Sequence, residues 1–169
     1  MTNRLEILAD RQDCADLIVR TARAIDRCDE ALLREQFHPD AHDDHGGFKG
    51  SIDEFAKWVM PVLGTMERTQ HILGQMLIEV DGDTAASETY FEAHHELMIE
   101  NVMQHMIAAG RYLDKFERRD GTWKMSSRHA VYDWQSIVPS TDAFDRENPA
   151  GNEYGQRGAD DASYAHFEK

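Results

Sequence analysis

Apolar residues recur every third or fourth position up to about Thr65 and every second position from Thr69, so the chain divides into a helical part and a strand part. Asp13–Asp29 carries Ala15, Ile18, Ala22 and Ile25 on one stripe and predicts an amphipathic helix. Asp29–Gln36 predicts a second, short helical turn, stopped by His38-Pro39. Ala41–Lys49 reads as a short polar strand ending at Gly46-Gly47 and Gly50. Ser51-Ile52-Asp53-Glu54 is an N-cap signature, opening a helix through Phe55, Trp58, Val59 and Val62 to about Thr65, with Pro61 a place for a kink.

Thr69–Val80, Thr84–Ile99, Val102–Arg118 and Thr122–Gln135 then predict four long strands. Asp81-Gly82-Asp83, Glu100-Asn101 and Asp120-Gly121 are the turns between them. In the second of these strands Ala85, Ser87, Thr89, Phe91, Ala93, His95 and Leu97 share the face expected to point inward, leaving Glu88, Tyr90, Glu92, His94 and Glu96 outside. Helices followed by a strand meander are an α+β signature. One domain over residues 1–138 is expected, with 139–169 an extended arm docked through Tyr154, Tyr164 and Phe167.

Asp26 breaks the first helix's pattern, because it sits on the edge of the apolar stripe one turn beyond Ala22. A carboxylate there must be solvated, paired, or employed with an altered pKa. His71, near the start of the Thr69 strand, is the natural partner, since neutral imidazole is the side-chain base suited to neutral pH. His71 would then abstract a proton while Asp26 fixes its tautomer and stabilises the imidazolium. A purely structural Asp–His pair is the alternative.

Arg128 could stabilise a leaving group or an oxyanion. Strict alternation from Trp123 turns it outward, so that role needs a bulge; otherwise it is a surface arginine. His95 lies on the inward face of its strand, and Tyr112 shares a face with Ala108, Gly110 and Phe116. Either could hydrogen-bond a substrate, or be satisfied by backbone groups. Phe91 and Trp58 are candidate walls of an apolar pocket. The run His38-Pro39-Asp40-Ala41-His42-Asp43-Asp44-His45 invites a metal site. Pro39 precludes a helical His pair, and alternation sends His42 and His45 to opposite sides, so no metal is expected. Asp43 and His45, on one parity, would edge the pocket mouth, with the others solvated.

A formal charge of −14 argues against nucleic-acid and membrane-surface partners. No run approaches the ~20 apolar residues of a membrane span. Cys14 and Cys28, ~21 Å apart on one continuous helix, would not pair. Unpaired thiols and the lack of a secretory signal point to the cytoplasm. No P-loop or dinucleotide fingerprint is present, so no cofactor is expected.

Ala24-Ile25-Asp26-Arg27-Cys28-Asp29, Thr69-Gln70-His71-Ile72 and the hairpin from Phe116 to Met125 together resemble the NTF2-like superfamily. More narrowly, they resemble the SnoaL-like group with scytalone dehydratase, hexachlorocyclohexane dehydrochlorinase and bile acid 7α-dehydratase. The resemblance covers roughly residues 5–135. It implies a cone-shaped α+β barrel, a curved and mostly antiparallel sheet around the N-terminal helices, with Asp26 and His71 in a deep apolar pocket. It also implies a cofactor-independent lyase acting on a small apolar cyclic or aromatic molecule, in a homodimer or homotrimer. Isomerases, carbon–carbon lyases and noncatalytic assembly modules share the scaffold. Thr21 stands where the dehydrochlorinase pattern has lysine and the bile acid enzyme tyrosine. Ile25 stands where scytalone dehydratase has tyrosine, which leaves open the source of the leaving-group proton.

Overall fold

The structure is a computed structural model that describes residues 4–167. Helix α1 (Arg4–Arg27) packs on α2 (Glu30–Glu35) and on α3 (Ile52–Gly64) through α2; strands β1 (Phe37–Asp44) and β2 (Lys49–Ser51) fall between α2 and α3. The meander follows as β3 (Met66–Asp81), β4 (Thr84–Ile99), β5 (Val102–Arg119) and β6 (Thr122–Pro139). All six strands form one sheet in the order β2-β1-β6-β5-β4-β3, antiparallel except where β1 runs parallel to β6. This is the NTF2-like α+β cone, with the inner face of the curved sheet turned towards α1 and α3.

The main core joins Ile18 and Leu17 of α1, Leu33, Phe37, Phe55 and Leu63 to Phe116, Trp123 and Met125 of the sheet. Helix α1 starts nine residues before the expected Asp13. Its first turns expose Leu5 and Leu8 and bury Asp10, the reverse of an apolar-inward pattern. Asp10 is satisfied inside, accepting from Trp123 Nε1 at 2.8 Å and Arg118 Nη1 at 2.7 Å. Cys28, with φ at 52°, ends the helix, and Asp29 caps α2 by accepting from Leu32 N. Ser51 and Glu54 complete the capping box of α3, which runs through Pro61. Both cysteines are free, and no described helix is long and apolar enough to cross a membrane.

Two bulges in β6 shape the interior. Lys115 pairs with Ser127 and Phe116 with Met125, so Ser126 is an extra residue. A second extra residue, Asp133, lies where Ala109 pairs with Trp134 and Gly110 with Tyr132. Each shift reverses the side-chain alternation of β6. On β4 the expected inward set holds, with Ala85, Ser87, Thr89, Phe91 and Ala93 all buried.

After Pro139 the chain runs without regular structure to a 3₁₀ turn (Gly158–Asp160) and helix α4 (Ala162–Phe167). Tyr164 donates to Asp29 Oδ2, and Arg23 lies over the rings of Tyr164 and Phe167, so two of the three expected anchors sit against α1. Tyr154 instead packs on Phe144 and Arg146 within the segment itself.

Gly110 faces the second bulge, where an added Cβ would lie 2.0 Å from the Val131 carbonyl oxygen. Since the obstacle is backbone, Gly110→Ala should destabilise the fold by at least ~1–3 kcal/mol, measured by denaturant unfolding.

Candidate active site

The last turn of α1 lies against β3, and there Asp26 grips His71 twice. Asp26 Oδ1 meets His71 Nδ1 at 2.8 Å, and Asp26 Oδ2 accepts the His71 backbone N–H at 2.8 Å. Burial alone would raise the pKa of Asp26. The hydrogen bonds and charge of His71 outweigh it and hold the carboxyl below its ordinary value. An ionised carboxylate has no proton to give, so Nδ1 is the donor and, in the neutral ring, Nε2 keeps its lone pair.

His71 lines a cavity of about 370 Å³ enclosed by α1, α3 and the inner sheet face. Most of its wall is apolar: Ala22, Ile25, Val59, Val62, Phe91, Ala93, Met106 and Ala108 contribute, with Trp58 part-exposed. The polar groups reaching it are few. They are Thr21, His45, His71, His95, Tyr112, Arg128, Tyr132 and Gln135. Thr21 spends its hydroxyl proton on the Leu17 carbonyl at 2.8 Å.

Arg128 is not a surface arginine. The bulge at Ser126 turns it inward, where its side chain is 3 % exposed and forms a fork with Asp114, Nε–Oδ1 at 2.7 Å and Nη2–Oδ2 at 2.9 Å. Burial opposes its charge, but Asp114 outweighs that and holds the guanidinium protonated. Its Cζ lies 4.1 Å from the centroid of Tyr112, whose ring stacks on Phe91 at 4.0 Å. Burial pushes the Tyr112 hydroxyl pKa up, so it stays a proton donor. His95 meets His71 edge-on, with ring centroids 6.3 Å apart. Its Nδ1 is buried without a protein partner, and burial followed by the nearby His71 lowers its pKa to about 4.

The acidic histidine run divides differently from its expected pattern. His45 lines the cavity, but Asp43 does not edge a mouth: it is 1 % exposed and stands behind His45, bonded to its Nδ1. His42 is exposed, whereas His38 is buried and meets the Glu117 carbonyl at 3.0 Å instead of being solvated. No described group of histidines, cysteines and carboxylates is arranged to hold a metal.

Sequence reading missed Asp114. The available signal was its parity, since it alternates with Tyr112 and Phe116 on the inward face of β5, as Asp26 does on its helix. Its partner was hidden because the Asp114–Arg128 register depends on the bulge.

Residues 6–129 match the SnoaL-like domain. The chain belongs to the SnoaL-like family. An uncharacterized protein of Mycobacterium tuberculosis, Rv2910c, is 30 % identical to it over 135 residues, which is 78 % of this chain and 90 % of the relative. Among solved structures, LinA-type3 hexachlorocyclohexane dehydrochlorinase from Novosphingobium barchaimii superposes with a TM-score of 0.73 at 23 % identity, covering 80 % of this chain and 94 % of that one. Kfla4162 from Kribbella flavida gives 0.69 at 18 % identity, covering 76 % and 93 %. At those identities the likeness is one of fold. In this SnoaL-like chain Asp26, His71 and Arg128 all fall within the matched residues, while the segment after Pro139 lies beyond them.

Two outcomes follow from the buried charges. Asp114→Asn removes the charge facing Arg128 and should cost ~3–5 kcal/mol, whereas the double change Asp114→Leu with Arg128→Met should cost less, both by denaturant unfolding. The unfolded chain protonates His95 near its ordinary value of 6.5 and the folded chain only near about 4. Stability should therefore fall as pH drops between those values, by up to ~3 kcal/mol, and His95→Gln should flatten that part of the profile. Asp26, with its lowered pKa, adds a loss only at more acid pH.

Proposed function

We propose that this protein is a cofactor-independent lyase that removes water, or another β-leaving group, from a small apolar cyclic or aromatic molecule. The observation that carries this reading is the doubly anchored His71, which keeps one ring nitrogen unengaged and lines a largely apolar cavity. His71 takes the proton next to an activating group. Asp26 keeps the ring in the reactive tautomer and stabilises the imidazolium. Arg128 and Tyr112, with His95 beside His71, offer hydrogen bonds to a developing enolate or to the leaving group.

The dehydrochlorinase named among the structural neighbours performs an elimination by its name, which supports the reaction class. The isomerase reading needs Asp26 itself to shuttle the proton, and its lowered pKa and two bonds to His71 weigh against that. A noncatalytic assembly module would have no use for a buried base facing a 370 Å³ cavity. A homodimer or homotrimer, with one catalytic domain over residues 1–138 in each subunit, is part of the proposal.

Cyclic β-hydroxy ketones are suitable probes, because their dehydration is read by enone absorbance. His71→Ala and Asp26→Asn should each lower turnover by at least ~10²-fold, with melting curves showing a retained fold. Full activity in both variants would contradict the mechanism.

A further inference from the structure

The cavity holds a second carboxylate-backed imidazole. His45 follows β1 and faces the cavity, with Nδ1 held by Asp43 and its ring stacked on Phe55, centroids 4.8 Å apart and 19° from parallel. Asp43 is as deeply buried as Asp114, and its Oδ2 has no partner within the protein. The arrangement repeats that of Asp26 and His71: the histidine lines the cavity and its carboxylate does not. Sheet order sets the two histidines apart. β1 and β3 are separated by β6, β5 and β4, so the curved sheet presents His45 from one flank and His71 from the other.

We propose that His45, positioned by Asp43, is the acid that protonates the leaving group on the substrate face opposite His71, so that elimination is anti. This rests on the reading of His71 as the base. In the reactive form His45 carries both ring protons, Nδ1–H on Asp43 and Nε2–H towards the leaving oxygen, while His71 carries only Nδ1–H. The C–H proton passes to His71 Nε2 and its electron pair becomes the second bond of the alkene. The C–O bond breaks, and the oxygen takes the His45 Nε2 proton and departs as water. The site resets when His71 releases a proton to solvent and His45 takes one up, with no net change.

Two of the other polar groups serve this step less well. Thr21 is engaged with Leu17, and Arg128 is fixed as a cation by Asp114. Around His45 and Asp43 stand Tyr112 from β5, Arg128 and Tyr132 from β6, and Phe55 from α3. Asp43 thus stands behind His45 and beside Arg128 in the β1–β6 register.

The test uses 3-hydroxycyclohexanone bearing one deuterium at C2, either cis or trans to the hydroxyl. Mass spectrometry reads the label in the enone, and cyclohexanone with deuterated α-carbons reports proton abstraction where nothing leaves. The wild-type protein should lose the trans label and keep the cis one. His45→Gln and, as a second variant, Asp43→Asn should lower enone formation by at least ~10²-fold while still exchanging the label of cyclohexanone. Loss of the cis label, which needs no variant to observe, overturns the proposal and leaves the base assignment standing. Undiminished elimination in His45→Gln does the same. Absence of exchange and elimination in the wild type overturns the base assignment, and this proposal with it.

Discussion

The paired hydrogen bonds from His71 to Asp26 are the constraint on which the rest depends. They tie the last turn of α1 to the inward face of β3 and consume both oxygens of a largely buried carboxylate. Leaving that carboxylate unpaired would cost several kcal/mol. Bonded at ring and backbone, it holds helix, strand and imidazole in one relative position. A side chain that a helix of this pattern would otherwise spend on packing instead fixes which nitrogen of His71 is free.

The same device is used three times around one cavity. His71 is backed by Asp26, His45 by Asp43 and Arg128 by Asp114, and none of the three carboxylates forms part of the wall. The basic groups face the interior while their counter-charges stand behind them. A molecule entering the cavity would therefore meet proton donors and acceptors in fixed orientation among apolar neighbours, where electrostatic effects are least screened. Groups already positioned need little rearrangement when charge develops.

Much of this was legible in the sequence where period and chemistry disagreed. Asp26 stood out because it interrupts a helical stripe, and Phe91 and His95 because period two assigns them inward. Trp58 likewise followed from the stripe of α3. The Glu-Arg-Arg-Asp-Gly-x-Trp-Lys hairpin fixed the family resemblance. What stayed hidden depends on irregularity. The inward turn of Arg128, and with it the partnership with Asp114, comes from one extra residue, Ser126, that alternation alone cannot locate. The first turns of α1 were concealed because they bury Asp10 and expose Leu5 and Leu8. Asp43 was placed on the correct parity but too near solvent, because three histidines and three carboxylates in sequence look like surface. Folding instead puts Arg128 alongside Asp43 in the β1–β6 register.

Whether Asp26 sets the tautomer of His71 turns on the place of one proton, and nitrogen-15 NMR of the His71 imidazole reads that place directly. In the neutral ring Nδ1 should be protonated and hydrogen-bonded to Asp26, and Nε2 should have the shift of an unprotonated, lone-pair nitrogen. Asp26→Asn should abolish that preference. A neutral His71 protonated on Nε2, or one whose tautomer is indifferent to Asp26→Asn, would contradict the account.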